Sequence, residues 1–451
     1  MTAFIPKPMT STVLNLQPLL EEGRENELAG LLSTLHPADV AEALSPLDME
    51  DTIKVMSLLD VAQAAEVLVE LSESSRDQVT LGLPRDKLTQ MVAEMDSDDA
   101  ADIVGDLSEA AAEEVLKAIG DEESEEVRRL LMYDEETAGG LMQLELVAAS
   151  GQDTVAKVIN DIRAASEDLG DLTSIYVVDQ ARALQGEISL KDLLLAYPHE
   201  TLSQLIQKAP GLVVRVDEDQ KAVAQKFRKY DVRSAPVVDS QNRLLGRIMV
   251  DDIIDVVDEE TDKDFYRLAG SSEEEVYTSG AIKRASLRLP WLLFNLGGGL
   301  VTSFILKYFE ASFQKTMALV AFVPMVMSLS GAVGSQSATI TVRGLATGRI
   351  GQGLIFRSLG MEQKVSLVMA LVFGLAITLI AGSLRSAPRL GLAVGLSLGA
   401  AILVSAFLGA ITPLFFRAIN VDPALASGPV VTSANDVAAL MIYAAIGSAV
   451  A

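Results

Sequence analysis

The 451-residue chain has no cysteine, which excludes disulfides, thiolate metal sites and cysteine nucleophiles. It has only two histidines, His36 and His199, too few for a histidine-ligated transition-metal site. No catalytic constellation is recognisable, so the chain does not read as an enzyme. The first 27 residues contain no long apolar stretch, and no signal peptide is expected. The most telling scarcity is regional. Of 62 Asp and Glu, residues 291–451 hold four: Glu310, Glu362, Asp422 and Asp436.

The other 58 acids lie in residues 1–290, where 27 Lys and Arg leave a net charge of −31. The C-terminal 161 residues carry nine basic side chains and a net of +5. A mean hydropathy of +0.31 alongside 22% charged residues requires the apolar residues to be segregated in this way. The acidic half would repel nucleic-acid phosphates and suits small cations.

A membrane-spanning helix needs about 20 mainly apolar residues. Five stretches qualify, near 289–306, 316–342, 363–383, 390–416 and 427–450. The second ends in SGAVGSQSATITVRGLATG, whose small and polar residues suit close helix packing or a polar path. Lys283, Arg284, Arg288, Arg343, Arg349, Arg357, Lys364 and Arg417 fall on one side, against Lys307, Lys315, Arg385 and Arg389 on the other. The positive-inside bias puts the N-terminus in the cytoplasm and the C-terminus outside the plasma (inner) membrane.

Two internal recurrences organise the acidic half. ADVAEAL (38–44), AQAAEVL (62–68), DDAADIV (98–104) and AAEEVLKAI (111–119) place small and apolar residues at helical spacing, which predicts a superhelical stack of α-helices. Asp96, Asp98, Asp99 and Asp102 are its densest acidic patch, either a solvated face or a cation-responsive one. Farther on, IYVVDQARALQGEISLKDLLL (175–195) aligns with APVVDSQNRLLGRIMVDDIID (235–255) at a 60-residue offset. Each copy reads as strand, turn, strand and a helix capped near Asp192 or Asp252. The pair resembles tandem cystathionine-β-synthase (CBS) domains, which bind adenine nucleotides or act as dimerising levers. ATP at the pair is left open, with no contact residue assigned.

Between the halves, residues 255–264 hold Asp255, Asp258, Glu259, Glu260, Asp262 and Asp264. On a helix, Asp255 faces Glu259 and Glu260 faces Asp264, and like charges at that spacing repel. Hard cations prefer carboxylate oxygens, so bound Mg²⁺ would stiffen such a connector.

With the helical acidic domain, YDEETAGGLM (133–142), the CBS pair, the acidic connector and five spans ending in VDPALASGPVVTSANDVAAL (421–440), the chain resembles the MgtE family of magnesium channels or transporters along essentially its whole length. The resemblance implies a homodimer with a pore on the twofold axis, closed by intracellular Mg²⁺ acting through the soluble domains and connector. Two departures stand out. Ala332 replaces the asparagine of a GGNxGNQ or GGNxGSQ pattern, of which Gly334, Ser335 and Gln336 keep the end. Lys263 stands where relatives tend to carry an acid.

The expected architecture is therefore multidomain. It comprises an all-α superhelical N domain (1–135), an α/β tandem CBS pair (136–200 and 201–256), an acidic connecting helix (257–284) and a five-helix transmembrane domain (285–451).

Glu310, after the first span, and Glu362, before the third, have ordinary interfacial explanations. Asp422 precedes Pro423 and either caps a helix or meets ions at a mouth. Asp436 lies nine residues into a span beginning near Ser427, about 13–14 Å at 1.5 Å per residue. An intramembrane carboxylate is a functional candidate by default. It is expected to hold a hydrated ion, with Thr432, Ser433 and Asn435 as neutral oxygens nearby and the carbonyls of Gly428 and Pro429 as further ligands. Its alternative is an ion pair with Arg343.

Metal contact is thus expected at Asp436, Asp422, Asp98, Asp252, Asp255, Glu260 and Asp264, with Mg²⁺ both transported and regulatory. The rivals are a transporter or exchanger of another divalent cation such as Co²⁺, and a membrane-tethered CBS regulator that does not conduct.

Overall fold

The computed structural model describes residues 16–165, 172–206, 211–272, 275, 280–315, 317–350, 353–384, 387–424 and 428–450. The N-terminal stretch read for a signal peptide thus falls partly outside the described residues, as does part of the connector. Two compact units emerge, Met1–Val257 and Asp258–Ala451.

The first unit begins with ten short helices from Gln17–Glu21 to Asp121–Leu130. From the third helix on, the dominant pattern is that each packs against the helix two places along, which winds them into the expected superhelical stack. The four recurrent segments supply the shared core. Val40, Ala64 and Ala100 occupy equivalent positions and are buried, as are Leu44, Leu68 and Val104. Helix starts are fixed locally: Asp48 and Asp60 accept the backbone N–H three residues on, at 2.9 and 3.0 Å, satisfying one of the orphan donors. His36 does the same for Ala38 at 3.3 Å ahead of Pro37, a structural task for one of the two histidines.

The repeat recurs in the fold. Strands Val147–Ser150, Ser174–Val178 and Leu184–Ser189 form one three-stranded mixed sheet; Val214–Arg215, Ser234–Val238 and Leu244–Met249 form the other. Val177 pairs with Gly186 and Val237 with Gly246, each just before an irregularity in register. Asp179 Oδ1 takes the amides of Ala181 and Ala183, and Asp239 Oδ1 those of Gln241 and Arg243. The turns then pass through the left-handed region at Arg182 and Asn242. The two turns bond each other, Leu184 N to Asn242 O and Leu244 N to Arg182 O, both 2.9 Å. The first cap is Ser189, whose hydroxyl receives the Asp192 amide at 3.1 Å. In the second copy Asp252 reaches back to the Met249 amide at 3.1 Å.

The core of the helical stack runs on into the second repeat, through Leu212, Val237, Ile248 and Ile253, whereas the first repeat has its own core around Ile175 and Leu193. Helix Val250–Leu268 leaves the second repeat and carries the acidic run.

Among the described residues the second unit contains five helices long and apolar enough to cross a membrane: Ala281–Tyr308, Met317–Ala346, Ile355–Leu384, Pro388–Ala418 and Pro429–Val450. The second opens with a 3₁₀ turn, Met317–Phe322. The fourth is the most buried; it packs along the third, second and fifth, while the first leans on the fifth. A β-carbon at Gly395 would collide with Thr378 and the Gly374 carbonyl, and one at Gly391 with the backbone of Thr378 and Gly382. Small residues bring these two backbones into contact, the usual means of helix association without a hydrophobic driving force.

Candidate functional site

In the last span Asp436 is the eighth residue of Pro429–Val450, so it lies about 10–11 Å along the axis from the helix start. That is a shorter count than the 13–14 Å expected from Ser427, because Gly428 precedes the helix instead of belonging to it. Asp436 is half-buried. Among the described residues it has no hydrogen-bond or ion-pair partner, and the Arg343 pairing is not formed. The Gly428 carbonyl is taken by Thr432, through its amide at 3.1 Å and its hydroxyl at 2.9 Å. Ser433 donates to Asn295 Oδ1 of the first span at 3.0 Å.

Ser328, Ala332, Ser335, Gln336, Thr339 and Arg343 are exposed along the second span. They fall on one face of the helix, at spacings of three and four apart from adjacent Ser335 and Gln336. Ala332, the residue in the asparagine position, is one of them.

The other three acids of this region are engaged. Asp422 pairs with Arg267 and also accepts the Ala424 amide at 2.8 Å. Arg267 comes from the last turn of the acidic helix, and Gly270 beyond it adopts a positive φ of +73° against Pro429. Glu362 accepts the Ser337 hydroxyl of the second span at 2.9 Å. The third helix starts at Ile355, several residues before the expected span, and so includes Glu362. Glu310 is exposed, at the first position of the short helix Glu310–Lys315, and accepts Gln314 Nε2 at 3.2 Å.

In the first unit the fold brings the start of helix Ser97–Gly105 to the start of Val250–Leu268. Asp98 is only 8% exposed, and Gln143 Nε2 points to its Oδ2 at 3.5 Å. Burial, then the Asp252, Asp99 and Glu145 charges, push its carboxyl well above the usual range. Burial followed by Asp102 and Asp96 raises Asp99 to about 7. Burial followed by Asp251 raises Asp252 to about 8, with Asp99 and Asp255 adding smaller effects. Carboxylates held this way are high in energy when ionised, a state that a cation relieves. Asp251 was not singled out by sequence alone, and Asp99 only as a member of the acidic patch; adjacency to Asp252 and Asp98 was the available signal. Among the described residues no three Asp, Glu or His converge closely enough to hold a metal, so the cluster is not a preformed cage.

Asp255 is exposed on the same helix, and Glu260 and Asp264 are half-buried farther along it. Lys263 pairs with Glu259 one turn earlier.

Three family models match the chain: MgtE, a divalent cation transporter, over residues 323–446; the MgtE intracellular N domain over 35–136; and a CBS domain over 204–259. The chain is 35% identical to the magnesium transporter MgtE of Enterococcus faecalis (strain ATCC 700802 / V583), over 71% of its own length and 70% of the relative's. It is 32% identical to the magnesium transporter MgtE of Bacillus subtilis (strain 168), over 71% of each. The crystal structure of the cytosolic domain of the Mg²⁺ channel MgtE in complex with ATP matches 54% of this chain and 100% of its own at 34% identity, with a TM-score of 0.51. The chain belongs to the MgtE family of divalent cation transporters.

Proposed function

We propose that this chain carries Mg²⁺ across a membrane as a homodimer, with Asp436 as the carboxylate that meets the ion. The observation that carries the reading is Asp436 itself, an acid inside a span with no protein partner among the described residues. A charge so placed costs roughly 2.5–3.5 kcal/mol on insertion scales, and a passing cation accounts for it. Mg²⁺ dehydrates reluctantly, so the carboxylate holds the ion through its water shell. The polar face of the second span is poor lipid-facing material; it fits a wet path shared with a second copy. The relatives' names supply the choice of Mg²⁺.

The acidic unit, on this reading, is cytoplasmic and senses Mg²⁺, closing the path as the ion accumulates. Asp98 and Asp252 with Asp99 and Asp251, then Asp255, Glu260 and Asp264 along the helix, are assigned to sensing. Asp422, bonded to Arg267 and Ala424, is left to the protein. The ATP-bound neighbour supports an adenine nucleotide at the CBS pair.

The test is Mg²⁺ uptake by proteoliposomes containing the full chain and its Asp436→Asn variant. The expected result is a loss of about 100-fold or more, since each tenfold corresponds to about 1.4 kcal/mol. Unchanged flux in a folded, dimeric variant removes the assignment. No ion movement in either protein points instead to a non-conducting CBS regulator. Ala332 favours one second reading, transport of another divalent cation; Co²⁺ uptake without Mg²⁺ uptake would establish it.

A further inference from the structure

Asn435 is fully buried, yet neither its Nδ2 nor its Oδ1 has a hydrogen-bond partner among the described residues. Its helix treats other polar side chains differently. Thr432 donates to Gly428, Ser433 to Asn295, Tyr443 to the Leu319 carbonyl and Ser448 to Ala445. Opposite Asn435 stands Gly334 of the second span, where a β-carbon would strike the Asn435 amide. Gly334 in turn presents its carbonyl to Gly409 of the fourth span, again too close for a β-carbon. Backbone closes around the amide and offers it no side-chain partner.

An unsatisfied amide in such surroundings is costly, and its retention is explained when another conformation satisfies it. The neighbours indicate which one. Asp436 follows Asn435 directly, and Ser335 and Gln336, on the exposed polar face, follow Gly334 directly. Parting the seam between the second and last spans would therefore open Asn435 onto the path that Asp436 meets. Its Oδ1 can accept a hydrogen bond from a water of a hydrated divalent cation, and its Nδ2 can donate to another water.

We infer that Asn435 is a second polar contact of the ion path, closed into the seam in this conformation and reached by the hydrated cation when the second and last spans part. The inference rests on the transport reading but is tested separately from Asp436.

Because the chain has no cysteine, a single Asn435→Cys substitution creates a unique reporter in the full-length protein. In proteoliposomes, a water-soluble cationic methanethiosulfonate reagent should modify it about tenfold faster in EDTA than in millimolar Mg²⁺, as expected for a site uncovered by about 1.4 kcal/mol of shifted equilibrium. Ala439→Cys, one turn on and equally buried, should resist modification in both. Protection of Asn435→Cys in both conditions while Ser335→Cys reacts overturns the inference.

Asn435→Leu fills similar space without the amide, and the expected result is a higher Tm together with a lower Mg²⁺ flux. Unchanged flux, or Tm and flux falling together, overturns the inference as well. If Asp436→Asn abolishes flux while Asn435→Cys stays protected, only the Asn435 inference fails. If Asp436→Asn leaves flux intact while Asn435→Cys labels in a Mg²⁺-dependent way, only the Asp436 reading fails.

Discussion

In the unit ending at Val257, carboxylates crowd one another: Asp98 is buried, and Asp99 and Asp252 half-buried, among like charges that help to hold their protons on. In the unit beginning at Asp258, the four acids beyond position 290 are dispersed. Asp422 has Arg267, Glu362 has Ser337, exposed Glu310 has Gln314, and Asp436 has no partner among the described residues. The two arrangements respond to a cation differently. A crowded cluster converts ion concentration into conformational stability, because each bound charge relieves several repulsions at once. A lone carboxylate changes nothing about its own fold when the ion passes, which is what a transit site needs.

The comparison would break first if the membrane unit could not hold its carboxylate in place. That rests on the glycine contact between the third and fourth spans, and the largest stability effect is expected there. Gly395→Val forces a branched side chain into Thr378 and the Gly374 carbonyl. Backbone cannot retreat as a flexible side chain can, so the cost should be about 3 kcal/mol or more. The Tm of the full chain in detergent measures it, and a shift near zero would mean that the close approach is not maintained in the membrane unit.

A second test reads the crowding directly. Raised carboxyl pKa values mean that folding favours the protonated form. The associated stability is present below the ordinary carboxylate pKa of 3.8 and is lost as pH rises through about 7 for Asp99 and about 8 for Asp252. Without Mg²⁺, the protection factors for hydrogen exchange in helix Ser97–Gly105, taken against the intrinsic amide rate at each pH, should therefore fall between pH 4 and pH 8, and millimolar Mg²⁺ should restore them. Asp252→Asn keeps an acceptor for the Met249 amide and removes the charge. It should protect that helix at pH 8 by about 1–3 kcal/mol and blunt the response to Mg²⁺. Faster exchange in the variant would mean that the carboxylate is not a source of repulsion.

These two regions were not equally legible in sequence. The helical stack and the CBS repeat could be read because periodicity repeats: Val40, Ala64 and Ala100 share a position, and Asp179 and Asp239 build the same turn 60 residues apart. The five spans were legible from composition, although the third begins at Ile355 and the last at Pro429. Those limits depend on the first turns, where polarity is mixed, and they place Glu362 within a helix and Asp436 nearer a helix start. Asp436 was conspicuous because hydrocarbon makes any acid an exception. The pairing of Asp98 with Asp252 spans 154 residues, and no local pattern encodes it. Nor could sequence reveal that Asn435 meets a glycine backbone, since that depends on how closely two helices approach.

The finest distinction concerns Lys263. It interrupts an otherwise acidic run and pairs with Glu259 on the preceding turn, which partly relieves the repulsion that the helix Val250–Leu268 would otherwise feel. Pairs at this spacing contribute about 0.2–0.5 kcal/mol, and like charges cost a similar amount. Lys263→Glu therefore exchanges a small attraction for a small repulsion, a change of about 0.5–1 kcal/mol. The helix should be cut faster than the wild type by a protease in EDTA. In millimolar Mg²⁺ the two should converge, because an added carboxylate is one more oxygen for the cation that quiets the rest. Lys263 would then lower the demand for Mg²⁺ without abolishing it, offsetting one of the six acids of the run before any ion arrives. Equal cleavage in EDTA would show that the Glu259 pair contributes nothing; a difference persisting in Mg²⁺ would show that the helix does not respond to the cation.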